Sequence, residues 1–222
     1  MMAIQHFSYR LPGMVGLFGI SLLAACGNPD SAEMPLAASQ QTANTCQVPH
    51  SYSGALSKND EDLFSASAAG DVRRVELAIG EGANVNATGA LKRTPLFAAA
   101  FCDRPEVAKL LIDKGSQVNV KDVNEMSSLH AAVIVGGVDT VKALIGKGAD
   151  INIRDVADRT PLHVAAATDQ IPMVELLLER GANALARDRG GATAASLASV
   201  NGHSKPGAII RTWQEKQRAP RQ

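Results

Sequence analysis

The side chains of this chain best suited to chemistry are its three cysteines and five histidines. His130 and His163 share the same surroundings, Leu129-His130-Ala131-Ala132 and Leu162-His163-Val164-Ala165-Ala166, and stand 33 residues apart. His203 follows Asn201-Gly202, and His50 has no obvious partner. No serine has a convincing base beside it, and no glycine-rich loop is arranged to cradle phosphate. Carboxylates pair only at the 33-residue spacing, as surface residues do. Asp60-Glu61-Asp62 precedes a helix and reads as negative charge complementing the helix dipole. A catalytic or metal centre would have to be assembled from Cys46, His50 and Cys102. The residues therefore predict no enzyme, no catalytic residue, no metal and no cofactor.

The elements that carry these residues are repeated. Thr94-Pro95-Leu96, Ser127-Ser128-Leu129, Thr160-Pro161-Leu162 and Thr193-Ala194-Ala195 start 33 residues apart. Gly82, Gly115, Gly148 and Gly181 keep that interval, as do Asn86, Asn119 and Asn152, with Leu185 breaking the asparagine series. In the unit opening at Thr94, the pattern predicts a helix over Leu96 to Phe101 and a turn at Asp103-Arg104. A second helix over Pro105 to Lys114 follows, ended by Gly115, which adopts left-handed geometry without steric cost. Pro95 suits the first helical position, where the missing N–H is already unpaired. Gln117 to Met126 then reach out as a hairpin finger. Leu63-Phe64-Ser65-Ala66 opens a unit without Thr-Pro. The last unit places Pro206-Gly207 where its second helix should begin. Both read as capping units, whose outer faces have no neighbour to cover them.

This period with these residues resembles the ankyrin repeat family over about 150 residues. The resemblance implies an all-α solenoid of helix-turn-helix units with β-hairpin or loop fingers, about five units over residues 59–211. It implies that His130 and His163 hydrogen-bond backbone and tie adjacent units together. Phe97 departs from the family's histidine, and Asp103 and Asp169 replace the inter-helix glycine kept at Gly136, so those turns are expected to be looser or reshaped. Ankyrin arrays bind proteins on the concave face made by finger tips and first helices. Mapped here, that face is Leu91, Arg93, Phe101, Val123, Asn124, Met126, Ile134, Val135, Val156 and Arg159. Its apolar members would form one patch with Arg93 and Arg159 at the edges. The alternatives are that Ile134 and Val135 pack inward, or that Val48 and Tyr52 cover the patch.

The start of the chain is not part of this array. Met1 to Arg10 is positively charged, and Leu11 to Ala25 is apolar but shorter than the roughly 20 residues of a membrane-spanning helix. Leu23-Ala24-Ala25-Cys26 closes the apolar run and resembles a bacterial lipobox. That resemblance implies a signal peptide over 1–25, cleavage before Cys26, and a thioether-linked diacylglycerol with an acylated amino group on Cys26, which together hold a protein on a membrane. It implies a periplasm-facing, lipid-anchored protein of the bacterial envelope. The absence of Asp at Gly27 slightly favours the outer membrane over the inner. Residues 26–58 read as a tether with a reach of roughly 30 Å. Residues 212–222 read as a polar tail. In an oxidising compartment Cys46 and Cys102 could form a disulfide or remain two thiols.

Twenty-two basic residues balance 22 acidic ones, which argues against nucleic acid as partner. Only 4% of residues are aromatic, and the alanine and leucine content suits thin helical layers. The expected function is a non-enzymatic interaction module that binds a protein partner, with no small-molecule substrate and with membrane contact only through the lipid. An immunity or inhibitor protein acting on an envelope-directed toxin or hydrolase is the alternative.

Overall fold

The computed structural model describes Cys46 and residues 56–218. Ten α-helices run in order through them: α1 (Lys58–Ala69), α2 (Val72–Gly80), α3 (Pro95–Phe101), α4 (Pro105–Asp113), α5 (Ser128–Val135), α6 (Val138–Gly146), α7 (Pro161–Ala167), α8 (Ile171–Glu179), α9 (Ala194–Val200) and α10 (Ser204–Arg218). They form five antiparallel pairs. The first helices stack on one another in the order α1, α3, α5, α7, α9. The second helices pack behind them, α2 against α4, α4 against α6 and α8 against α10.

From α2 to α9 no helix exceeds nine residues, well short of the length at which an isolated helix persists in water. Two devices compensate. The first is capping: the Thr94 hydroxyl accepts from the Phe97 N–H, and the Asp71 carboxylate from the Arg74 N–H. The second is burial shared between units. Leu63, Leu96, Leu129 and Leu162 recur every 33 residues in the first helices, each at most 1% exposed. Ala78, Leu111, Leu144, Leu177 and Ile210 recur likewise in the second. Each column is covered by the unit before and the unit after.

The loops between units are stitched by the asparagine series. Asn86 Oδ1 accepts the Gln117 N–H (2.8 Å), and its Nδ2 donates to the Gly115 carbonyl (3.1 Å). Asn119 does the same with Asp150 and Gly148, and Asn152 Oδ1 accepts from Asn183. Leu185 stands where a fourth asparagine would be and is 55% exposed. Only α10 follows it, and Gln214 of that helix donates to the neighbouring Ala184 carbonyl (2.8 Å) instead.

Three expectations need correction. The turns at Asp103 and Asp169 are not reshaped: both residues hold left-handed φ (50° and 57°), as Gly136 does at 75°. Each offsets the steric cost across the unit boundary. Asp103 accepts from the Thr140 hydroxyl at 2.7 Å, and the Asp169 carboxylate lies 4.0 Å from His203 Nδ1. Residues 212–218 are not a tail but the end of α10, with Trp213 packed on the core. Pro206 occupies the first turn of that helix, where proline is tolerated. Gly207 takes the place held by Val174 one unit earlier, where a Cβ would lie 3.1 Å from the Ala195 carbonyl oxygen. Finally, the fingers are turns rather than hairpins. Isolated bridges at Lys121–Ser127 and Arg187–Thr193 are the only β pairing among the described residues.

Leu144→Ala is expected to destabilise the array by about 2–5 kcal/mol, because its column cannot collapse without moving two neighbouring units. Urea unfolding followed by circular dichroism measures this.

Candidate protein-interaction face

The finger tips are built by a second periodic residue. Asp122 Oδ1 accepts the N–H groups of Asn124 and Met126. Asp155 Oδ1 accepts those of Ala157 and Arg159, and Asp188 Oδ1 accepts that of Ala192. These carboxylates close each tip from within. Adjacent tips are then joined by backbone: Val123 N–H to Leu91 C=O (3.0 Å), Val156 N–H to Asn124 C=O (3.1 Å), and Arg189 N–H to Ala157 C=O (2.9 Å). The 33-residue interval of Asp122, Asp155 and Asp188 is present in the sequence but was not among the signals drawn from it.

This stitching aligns Leu91, Val123 and Val156 in one row, 46%, 49% and 44% exposed. Asn124 is exposed beside them. Ile134 and Val135 end α5 and do not pack inward; both are exposed. Five of the expected apolar contacts thus face solvent. The others are committed elsewhere. Met126 is half-buried on the main core. Phe101 is half-buried and stacks with Phe97 at 6.5 Å between centroids.

The two arginines differ. Arg93 is not an edge residue: its side chain is 12% exposed, its Nε lies 3.3 Å from buried Asp122, and its guanidinium sits 4.8 Å from the centre of the Phe97 ring. It fills the position opposite the aromatic that replaces histidine. Arg159 keeps a partly exposed side chain while its Nε and Nη2 both reach Asp155 Oδ2 (2.9 and 2.8 Å). Burial raises the Asp155 pKa, but the Arg159 guanidinium and the backbone N–H groups outweigh it and hold the carboxyl below its ordinary value.

His130 and His163 are buried and reach across unit boundaries. His130 Nε2 donates to the Arg159 carbonyl (3.1 Å), and His163 Nε2 to the Ala192 carbonyl (3.2 Å). The opposite nitrogen of each accepts from its own cap: Nδ1 of His163 lies 3.2 Å from Thr160 N and 2.9 Å from its hydroxyl, and Nδ1 of His130 faces Ser127 in the same way. Burial is the main cause that lowers both pKa values. A proton added at Nδ1 would also point at a backbone N–H.

Cys46 and Cys102 are joined as a disulfide, with Cα atoms 5.6 Å apart. Cys26, His50, Val48 and Tyr52 lie outside the described residues. Among the described residues no group of three or more His, Cys, Asp or Glu side chains is placed to hold a metal ion. No helix among them is long and apolar enough to cross a membrane.

Stacked helical pairs, stitched loops and an exposed apolar row define a repeat-built interaction module. The family model for ankyrin repeats (three copies) matches residues 63–155 and 139–206, and the chain belongs to that family. No curated protein matches the chain. Ankyrin repeats mark a protein–protein interaction module, and no catalytic family is indicated.

Two measurements check this division between interior and surface. Arg93→Ala leaves the buried Asp122 carboxylate without its cation and is expected to cost about 3 kcal/mol. Arg189→Ala breaks an exposed pair with Asp158 and is expected to cost under about 1 kcal/mol. Both are read by denaturant titration. The histidines set a pH dependence. Their folded-state pKa values lie below the ordinary 6.5, so the unfolded chain binds more protons as pH falls. Their stabilisation is complete above about pH 6.5 and declines below it by up to about 1.4 kcal/mol per unit for each histidine. His163→Phe, copying Phe97, should lower stability at pH 7 and flatten the decline between about pH 6.5 and 5. An unaltered slope in urea titrations across that range would contradict the assignment.

Proposed function

We propose that this chain is a lipid-anchored ankyrin module of the bacterial envelope that captures a protein partner on its inner face. The observation that carries the docking surface is the exposed row Leu91, Val123 and Val156, together with Ile134 and Val135. These apolar side chains are left in solvent while every periodic structural position is committed. Contiguous exposed apolar surface marks an interaction site. Exposed Arg154 and Arg187 border the fingers and are held by finger carbonyls: Arg154 Nη1 donates to the Asp158 and Arg187 carbonyls, and Arg187 Nη1 to that of Gly191. The partner's contact surface is accordingly apolar with a polar rim.

The anchor rests on Leu23-Ala24-Ala25-Cys26 and the apolar run before it. The Cys46–Cys102 bond supports an oxidising compartment, where disulfides persist. Gly27 after the modified cysteine favours the outer membrane, with the array facing the periplasm.

Val123→Asp and Val135→Asp are surface changes and should leave helix content and stability nearly unchanged. Each is expected to reduce recovery of the partner by about tenfold or more in crosslinking pull-downs from the native envelope. Undiminished recovery with both variants would refute the mapping. Cys26→Ser should move the protein from the membrane fraction to the soluble one, and retention on the membrane would refute the anchor.

A further inference from the structure

A second apolar cluster lies apart from the main core at the start of the array. It consists of Phe64 and Ala68 of α1, Ala87, and Ala98 and Cys102 at α3. No later unit supplies its cover. Cys46 and Leu56 lie against it, with Phe101 alongside. Leu56 is held there by its closeness to α1, which starts at Lys58. Cys46 lies well before that helix, and what fixes it is a covalent bond to Cys102, 56 residues away.

The repeat itself supplies an internal control. Ile134 and Val135 occupy, one unit later, the positions of Phe101 and Cys102. They stand 40% and 41% exposed, whereas Cys102 is 8% exposed. The same position is therefore covered in one unit and bare in the next, and the difference is the cysteine brought onto it. One small side chain buries too little area to hold a flexible stretch of chain against its conformational entropy. The bond, not the contact, keeps it seated.

We propose that the Cys46–Cys102 disulfide is a redox latch: oxidised, it keeps Cys46 seated on the inner end of the first two units, and two-electron reduction by a dithiol protein uncovers the apolar surface beneath. A thiolate of the reductant attacks Sγ of Cys46, the half-buried member of the pair. The Cys46–Cys102 bond breaks, and Cys102 leaves as a thiolate and takes a proton. The reductant's second thiol displaces Cys46, which is also protonated, and the reductant departs as its own disulfide. The Cys102 thiolate forms in an apolar setting at the C-terminal end of α3, where helix carbonyls disfavour negative charge. The first step therefore reverses readily unless a second thiol follows at once, which is why the reductant is a dithiol rather than a monothiol.

The test uses the full-length protein in three forms: oxidised, reduced with dithiothreitol, and Cys46→Ser. Helix content is followed by circular dichroism, apolar exposure by a fluorescent hydrophobic dye, and Cys102 accessibility by alkylation with peptide mass spectrometry. Val135→Cys, in a background of Cys46→Ser and Cys102→Ser, provides the rate for an uncovered thiol at the equivalent position. Reduction and Cys46→Ser should both raise dye binding with helix content unchanged. Cys102 of Cys46→Ser should then be alkylated within about tenfold of the Val135→Cys rate. Cys102 protected about a hundredfold or more, or dye binding equal in all three forms, would overturn the latch. Loss of helix content on breaking the bond would overturn it too, by making the bond a staple of the fold. None of these readouts involves a partner, so the result is independent of the docking surface proposed above.

Discussion

Shared burial is the constraint on which this molecule depends. Helices of seven to nine residues have no stability of their own, and a pair of them has too little interior to bury. Leu111 and Leu144 become interior only because the units on both sides close over them. Stability in such an array is a property of boundaries between units. The residues that matter most to the fold are accordingly those whose partners lie about 30 positions away: Asn86 with Gln117, His130 with the Arg159 carbonyl, Asp103 with Thr140.

That constraint explains how substitutions in the pattern are absorbed. At Phe97 the histidine and its inter-unit hydrogen bond are absent, and Arg93 supplies two contacts in its place, to the ring and to Asp122 in the next finger. At Asp103 the glycine is absent, and the carboxylate that makes left-handed geometry costly also bridges to the next unit. At Gly207 a column residue is absent because α10 approaches the Ala195 carbonyl closely. In each case the local rule is broken and the boundary is kept.

Much of this was legible in the chain because periodicity exposes positions to comparison. The starts of the first helices, the asparagine ladder and the glycines ending the second helices all recur, and each structural role follows from its recurrence. What was not legible depends on direction in space. Arg93 and Arg159 occupy matching positions, yet one is nearly enclosed and the other partly exposed, and the cause is the aromatic at Phe97. The extension of α10 through Arg218 was hidden by the polar composition of its exposed sides, although Ile209, Ile210 and Trp213 follow helical spacing. The cluster around Phe64 and Ala98 has no periodic signature, since its cover comes from outside the array.

The same logic separates function from fold. An array whose boundaries are closed by buried carboxylates, asparagines and histidines leaves its tips and the ends of its first helices free of structural duty. Val123, Val135 and Val156 meet none of the needs that fix Asp122, His130 and Asp155, only a few positions away in the chain. A solvent-facing valine in such a place gains nothing from the folded state alone. Several of them in neighbouring units, joined tip to tip by backbone hydrogen bonds, form a surface whose stabilisation must come from something outside the array. The array holds that surface in register without depending on it, so the choice of partner is open to change at those side chains while the stack beneath stays the same.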